Sequence, residues 1–127
     1  MIDVDRFKSI NDSYGHPVGD QVLLALARVL QQRLRDTDLV GRYGGEEFAV
    51  IMHDVMLEKA EQIMQQLRED FSKVLFHAGD VDFFCTFSCG VAAFPQLKCA
   101  ETLIEAADKA MYQAKHSGRN RVVIYAA

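Results

Sequence analysis

The sequence predicts an α/β fold of the palm-like, ferredoxin-like kind: a mixed, largely antiparallel sheet with helices packed against it. Three observations lead there. Stretches of helical periodicity alternate with short apolar runs of strand character, in the order β-α-β-β-α-β-β-α-β. Two of the strand pairs are consecutive and closely spaced, which favours hairpins over the crossovers of a doubly wound parallel sheet. Finally, 127 residues without linker, repeat or low-complexity tract make one domain with one core.

The elements follow in order. Met1 to Val4 is a short apolar stretch broken by Asp3, and reads as a strand that begins in mid-element. Phe7 to His16 mixes Lys8, Asn11, Asp12, Ser13 and Gly15, which are turn and cap residues. From Pro17 the period changes: Val18, Val22, Leu26, Val29, Leu30 and Leu34 recur at three and four residues, predicting an amphipathic helix that stops around Arg35 to Asp38. Leu39–Tyr43 and Phe48–Met52 are strand-like runs on either side of Gly44-Gly45-Glu46-Glu47, a hairpin in which glycine would supply positive φ. A helix is predicted over Leu57–Leu75, with Ala60, Ile63, Met64, Leu67, Phe71 and Val74 on one face. Asp82–Cys85 and Thr86–Ala93 read as a second hairpin after Gly79-Asp80. Thr102–Lys115 makes the last helix, Gly118 its terminator and Val122–Tyr125 the last strand.

Composition narrows the function classes. Half the residues are hydrophobic and a quarter charged, which excludes a disordered chain, a collagen or a disulfide scaffold. Eighteen acidic against fourteen basic residues give a net charge of −4, which argues against binding nucleic acid through its phosphates. Cys85, Cys89 and Cys99 are odd in number and lack a paired metal spacing; Cys85 and Cys89 read as small buried hydrophobes on one face of a strand. No apolar run approaches the ~20 residues that span a bilayer, and the acidic opening does not resemble a signal peptide, so the protein is expected in the cytoplasm.

The chemistry begins with carboxylates. Asp3 and Asp5 lie at the end of the opening strand and Glu46 and Glu47 in the first hairpin turn. If strand and hairpin are neighbours, up to four acids meet at one sheet edge, which is costly unless a cation holds them. Oxygen ligands without histidine or thiol suit Mg²⁺ or Mn²⁺, as in two-metal phosphoryl transfer. Acids at strand ends and turns are equally consistent with plain solvation.

Three motifs in order carry a family resemblance. Asp3-Val4-Asp5-Arg6-Phe7-Lys8-Ser9-Ile10-Asn11-Asp12 with Tyr14-Gly15-His16-Pro17-Val18-Gly19-Asp20 resembles the opening signature of the GGDEF family, the diguanylate cyclases. Arg42-Tyr43-Gly44-Gly45-Glu46-Glu47-Phe48 is similar to the motif that names the family, in its GGEEF form. Ala107 to Lys115, then Gly118-Arg119-Asn120, resembles the closing signature. The resemblance implies the nucleotidyl cyclase variant of the palm fold. It also implies an enzyme in which two facing subunits condense two GTP to cyclic di-GMP and release two pyrophosphates.

On this sequence the resemblance places two metal ions, Mg²⁺ or Mn²⁺, per active site, held by Asp3, the Val4 carbonyl, Glu46 and Glu47. Glu46 or Glu47 would help deprotonate the attacking 3′-hydroxyl. Gly44 and Gly45 would let the triphosphate lie against bare backbone. Lys8, Lys115 and Arg119 would contact phosphate oxygens. Asn11 and Asp20 would pair with guanine, with His16 beside the nucleotide. Arg35 and Asp38, an R-x-x-D five residues before Gly44, resemble the family's inhibitory site for its product, with Arg68 a possible third member; alone, R-x-x-D is a common helix-end cap.

The family pattern also has a helix and most of a strand before the position of Asp3, with an Asp-x-Leu-Thr-Gly-Leu-x-Asn-Arg-like segment. Residues 1–127 are therefore expected to be a domain truncated at its N-terminus, with an apolar patch left open on one sheet face. A sensory or dimerising domain would lie upstream. The alternative function is a binding module that senses GTP or cyclic di-GMP without turnover. Degenerate members usually lose the Gly-Gly-acid-Glu-Phe residues, and all five are present in this chain.

Overall fold

A computed structural model describes residues 1–94 and 99–126. Its main sheet has five strands in the order β2-β3-β1-β6-β7: β1 Ile2–Val4, β2 Leu39–Arg42, β3 Glu47–Ile51, β6 Phe87–Val91 and β7 Arg121–Ile124. Only β6 and β7 run parallel; the other neighbours are antiparallel. The short β1 is the centre of this sheet, with Asp3 opposite Glu47 on one side and Ser88 on the other.

Side chains alternate across the pleat, and the two faces differ accordingly. Ile2, Val4, Phe48, Phe87, Cys89 and Val122 point into the core, against Val22, Leu26 and Leu30 of α2 (His16–Arg33) and Met64, Leu67 and Phe71 of α3 (Leu57–Ser72). Asp3, Ser88 and Gly90 have the opposite parity and face α4 (Ala100–His116), which lies across β6 and β7. α4 ends as its sequence predicts, with Ser117 as cap and Gly118 at φ 121°.

Three sequence expectations are corrected. Phe7–Tyr14 is a helix, α1, rather than a run of turns. Asn11, Asp12 and Ser13 are weak helix formers, but Ile10 is buried and Phe7 and Tyr14 pack against the core on the same face, so burial overrides propensity. Gly15, at φ 92°, ends α1 and leads into Pro17 in the first turn of α2. Second, the minor hairpin pairs β4 (Phe76–Ala78) with β5 (Val81–Phe83) across Gly79-Asp80, with Gly79 at φ 61°. β6 belongs instead to the main sheet, and Cys85 precedes it, buried but outside the strand. Third, the β2–β3 hairpin forms, but neither Gly44 nor Gly45 adopts a left-handed conformation. The small hairpin is fastened to α1 by Tyr14 stacked on Phe83, centroids 4.7 Å apart.

Candidate functional site

The register of β1 creates the site. Pairing Ile2 with Phe48 and Asp3 with Glu47 puts the two carboxyls side by side on the α4 face, where Lys115 of α4 reaches Asp3 with Nζ–Oδ2 2.9 Å. Burial pushes the Asp3 carboxyl above its ordinary range, an effect the Lys115 ammonium only partly offsets. Glu47 is also raised, first by burial and then by the charges of Asp3 and Asp108, with Glu46 adding to both acids. The Asp3 and Glu47 carboxyls lie close enough for each to perturb the other. The Val4 N–H donates to the Glu46 carbonyl at 3.1 Å, and since N–H and C=O of one strand residue point to the same side, the Val4 carbonyl faces the hairpin too.

Of the four acids expected to converge, Asp5 does not join. It is 5% exposed, and accepts from Ser88 Oγ at 2.6 Å, Thr86 Oγ1 at 2.7 Å and the Asn120 N–H at 3.0 Å. The Asp5 N–H continues the β1–β6 ladder to the Thr86 carbonyl at 2.9 Å, which sets its side chain between β6 and the α4–β7 turn before the chain turns away at Arg6, left-handed at φ 55°. Asp5 is thus a tie between three segments. Its partner Asn120 also takes a bond from Arg68 Nη1 at 2.8 Å, so Arg68 serves this tie.

Among the described residues no three His, Cys, Asp or Glu side chains stand ready to hold a metal ion. The strand end offers two facing carboxyls, a third acid beside them and a peptide carbonyl. All are hard oxygen donors, and the three acids carry more negative charge than the one ammonium of Lys115 balances. A donor set of that kind fits Mg²⁺ or Mn²⁺ and does not fit zinc.

The glycine turn between the strands is clamped by Arg42, whose Nη2 and Nε donate to the Gly45 carbonyl at 2.6 and 3.0 Å. Gly44 gives its N–H weakly to Glu47 O at 3.4 Å, and a side chain added at Gly45 would meet nothing within 4 Å. The turn is therefore bare, exposed backbone.

The remaining expected residues fall into three places. Lys8 and Asn11 lie on α1, and His16 and Asp20 open α2, so these four share the elbow between the two helices; Lys8, His16 and Asp20 are exposed. The Asn11 Oδ1 is shut off from solvent and has no hydrogen-bond partner. Arg119 stands at the α4–β7 turn in a left-handed conformation, φ 61°, its N–H on the Ala114 carbonyl at 3.0 Å. Arg35 and Asp38 pair at 2.9 Å in the α2–β2 loop, and Arg35 Nη2 also donates to the His53 carbonyl at 2.7 Å. This is the far end of the β2–β3 hairpin from Gly44, about four strand residues or ~13 Å away. The Arg35 hydrogen bonds hold the Asp38 carboxyl below its ordinary range.

An acid-ended central strand, an acid-bearing glycine hairpin beside it and a lysine from the helix behind define a palm-type domain of the nucleotidyl cyclase kind. Residues 1–121 match the family model for the diguanylate cyclase GGDEF domain, and the chain belongs to that family. It is 40% identical over 124 residues to diguanylate cyclase DgcP of Pseudomonas aeruginosa, covering 98% of this chain and 18% of that protein. It is 42% identical over 127 residues to the probable diguanylate cyclase DgcC of Escherichia coli, covering 99% of this chain and 34% of that one. The chain thus spans about a third or less of these curated relatives. Among solved structures, the active GGEEF domain of a diguanylate cyclase from Vibrio cholerae superposes with a TM-score of 0.91 at 35% identity, over 99% of this chain and 80% of that one. The GGDEF domain of DgcB from Caulobacter crescentus, in complex with c-di-GMP, gives 0.92 at 32%, over 99% and 73%.

Two contributors lie within the quoted motifs yet received no role from the sequence. Asp108 adds negative charge at Glu47 from α4, and Arg42 holds the turn. Helical spacing puts Asp108 seven residues, or two turns, before Lys115, which could have signalled that both face the same strand.

Proposed function

We propose that the chain is the catalytic domain of a diguanylate cyclase, joining two GTP into cyclic di-GMP with release of two pyrophosphates. The observation that carries this reading is the Asp3–Glu47 pair, two carboxyls held together on adjacent strands against their own repulsion. Asp3, Glu46, Glu47 and the Val4 carbonyl are the residues that would hold two Mg²⁺ or Mn²⁺ ions. Bound there, such ions supply Lewis-acid stabilisation of the triphosphate and of the departing pyrophosphate.

The protein's own groups have separate tasks. Glu47, whose carboxyl is raised by burial and by the neighbouring acids, is suited to take the proton from the 3′-hydroxyl, with Glu46 beside it. Lys115 is long enough to leave Asp3 for a phosphate oxygen, and Lys8 and Arg119 add cationic charge from α1 and the α4–β7 turn. The bare turn at Gly44 and Gly45 lets the triphosphate approach the backbone. Asp20 presents a carboxylate suited to the N1–H and N2 amine of guanine, with Asn11 and His16 beside the nucleotide. One site binds one GTP, so the second comes from a facing copy and the active form is a homodimer. Arg35 and Asp38, far from the turn, would take the product and damp activity.

The test is incubation of the dimeric protein with GTP and Mg²⁺, with chromatography for cyclic di-GMP and Glu47→Gln in parallel. Product from the parent and none from Glu47→Gln supports the reading. A folded dimer that binds GTP and yields no product would be a binding module instead.

A further inference from the structure

Three consecutive residues at the α4–β7 turn have positive φ: Gly118 at 121°, Arg119 at 61° and Asn120 at 46°. A glycine just past the last turn is enough to end a helix. The two residues that follow are the only adjacent non-glycine pair of positive φ among the described residues. A side chain on left-handed backbone is sterically unfavourable, and such residues persist only where their surroundings impose them. Asn120 is gripped from two sides by opposite charges. Its N–H donates to the buried Asp5 carboxylate at 3.0 Å, and its Oδ1 accepts from the Arg68 guanidinium at 2.8 Å. Arg68 is itself aimed by a bond from Nε to Gln65 Oε1 at 2.9 Å on α3, and its side chain is only 19% exposed. Arg119 gives its N–H to the Ala114 carbonyl, and its guanidinium enters no hydrogen bond or ion pair among the described residues. Lys115, one turn earlier in the chain, is the residue that reaches Asp3.

We propose that Arg68 is a positioning residue for the triphosphate: through Asn120 it holds the α4–β7 turn in its left-handed form and so keeps the Arg119 guanidinium within reach of the phosphates. The proposal rests on the GTP-binding reading above, which gives Arg119 its phosphate, and adds a residue of α3 that touches no nucleotide. Releasing Asn120 lets the strained pair relax toward ordinary backbone and carries Arg119 away with it. The guanine end of the site, at the elbow between α1 and α2, is left as it was.

The experiment is titration of the protein with 3′-deoxy-GTP and Mg²⁺, a nucleotide that lacks the attacking hydroxyl and cannot be turned over, and in parallel with guanosine, which has no phosphate. Arg119→Ala is expected to weaken 3′-deoxy-GTP about tenfold or more, the loss of a bond between charged groups. Arg68→Ala should weaken it about three- to tenfold, and neither variant should change guanosine binding by more than about twofold. Asn120→Ala, a change at an exposed residue, removes the same bond from its other end and should match Arg68→Ala. Arg68→Lys, which can still donate to Asn120, should recover part of the loss. In the Arg119→Ala background, Arg68→Ala should change affinity by less than about twofold, since a residue acting through another is not additive with it. Undiminished 3′-deoxy-GTP binding by Arg68→Ala or Asn120→Ala, an equal loss for guanosine, or losses from Arg68→Ala and Arg119→Ala that simply add would each overturn the proposal. A parent that binds neither compound would instead bring down the reading on which it rests.

Discussion

Asp5→Asn is the sharpest test of how the site is held together. The Asp5 carboxylate is buried and accepts three bonds: Oδ2 from Thr86 Oγ1 and the Asn120 N–H, Oδ1 from Ser88 Oγ. No cation from a side chain pairs with it in these bonds, so dipoles alone hold the charge. Asparagine keeps the shape and one acceptor oxygen. Placed toward Thr86 and Asn120, that oxygen retains both bonds but without charge assistance, and its NH₂ faces Ser88 Oγ, which can rotate to accept. Placed the other way, the NH₂ opposes the Asn120 N–H and leaves it unpaired. Bonds to charged groups contribute about 1.5–3 kcal/mol and neutral ones about 0.5–1.5, so weakening three of them should cost about 2–3 kcal/mol. For a chain of this length that corresponds to a Tm lowered by about 6–12 °C. Urea unfolding followed by circular dichroism measures it directly. Because Asp5 ties segments and does not face the other acids, the Mg²⁺ dependence of nucleotide binding in the folded variant should match the parent. A variant within about 0.5 kcal/mol of the parent, or a folded one with weakened Mg²⁺ dependence, would refute the tie and restore Asp5 to the acid cluster.

Three further outcomes are expected. Gly90→Ala would put a Cβ 2.1 Å from the Ala107 carbonyl oxygen and 2.2 Å from the Met111 nitrogen, both backbone atoms, so α4 must retreat from β6; calorimetry should show a loss of about 3 kcal/mol, and a parent-like Tm would contradict the packing. Asp3 and Glu47 titrate above their ordinary 3.8 and 4.5, so the folded state keeps protons the unfolded state has released. Their contribution is full below those values, falls as pH rises through the raised ones and stays lost at pH 7. Glu47→Gln should therefore be the more stable protein at pH 7 in EDTA, by about 0.5 kcal/mol after discounting for partial exposure, and Mg²⁺ should raise the Tm of the parent alone; a less stable Glu47→Gln would count against the crowding. Arg35→Ala should relieve inhibition by added cyclic di-GMP in the cyclase assay. It should also remove a stabilising contribution present above pH 3.8, because the Asp38 carboxyl loses the partner that depresses it; inhibition equal to the parent's would remove Arg35 from the product site.

Much of this was legible in the residues. Helices α2, α3 and α4 show themselves because an amphipathic helix repeats its apolar residues at fixed spacing whatever it packs against. The β2–β3 hairpin was legible from two apolar runs around two glycines, although the conformation of those glycines was not, since a bare turn can close without positive φ. α1 was missed because its residues have weak helical propensity and its stability comes from Ile10 entering a core built by distant segments. β4 was missed and β5 was placed a residue or two late, because a three-residue strand carries too little periodicity to show itself or place its ends.

The sequence by itself determined the chemistry on offer and its neighbourhoods along the chain: acids at a strand end, glycines and acids in a turn, Lys115 and Arg119 at the end of a helix, Arg35 three residues before Asp38. These depend on local spacing, which the chain carries with it. Tertiary structure alone decided which acids meet. Asp3 faces Glu47 because the register pairs Ile2 with Phe48, whereas Asp5, two residues on and of the same parity, lies beyond the last β1–β3 pair and bonds Ser88, Thr86 and Asn120. Two residues along one strand separate a crowded carboxyl from a tie, and where the β1–β3 pairing ends is set by contacts between segments more than forty residues apart.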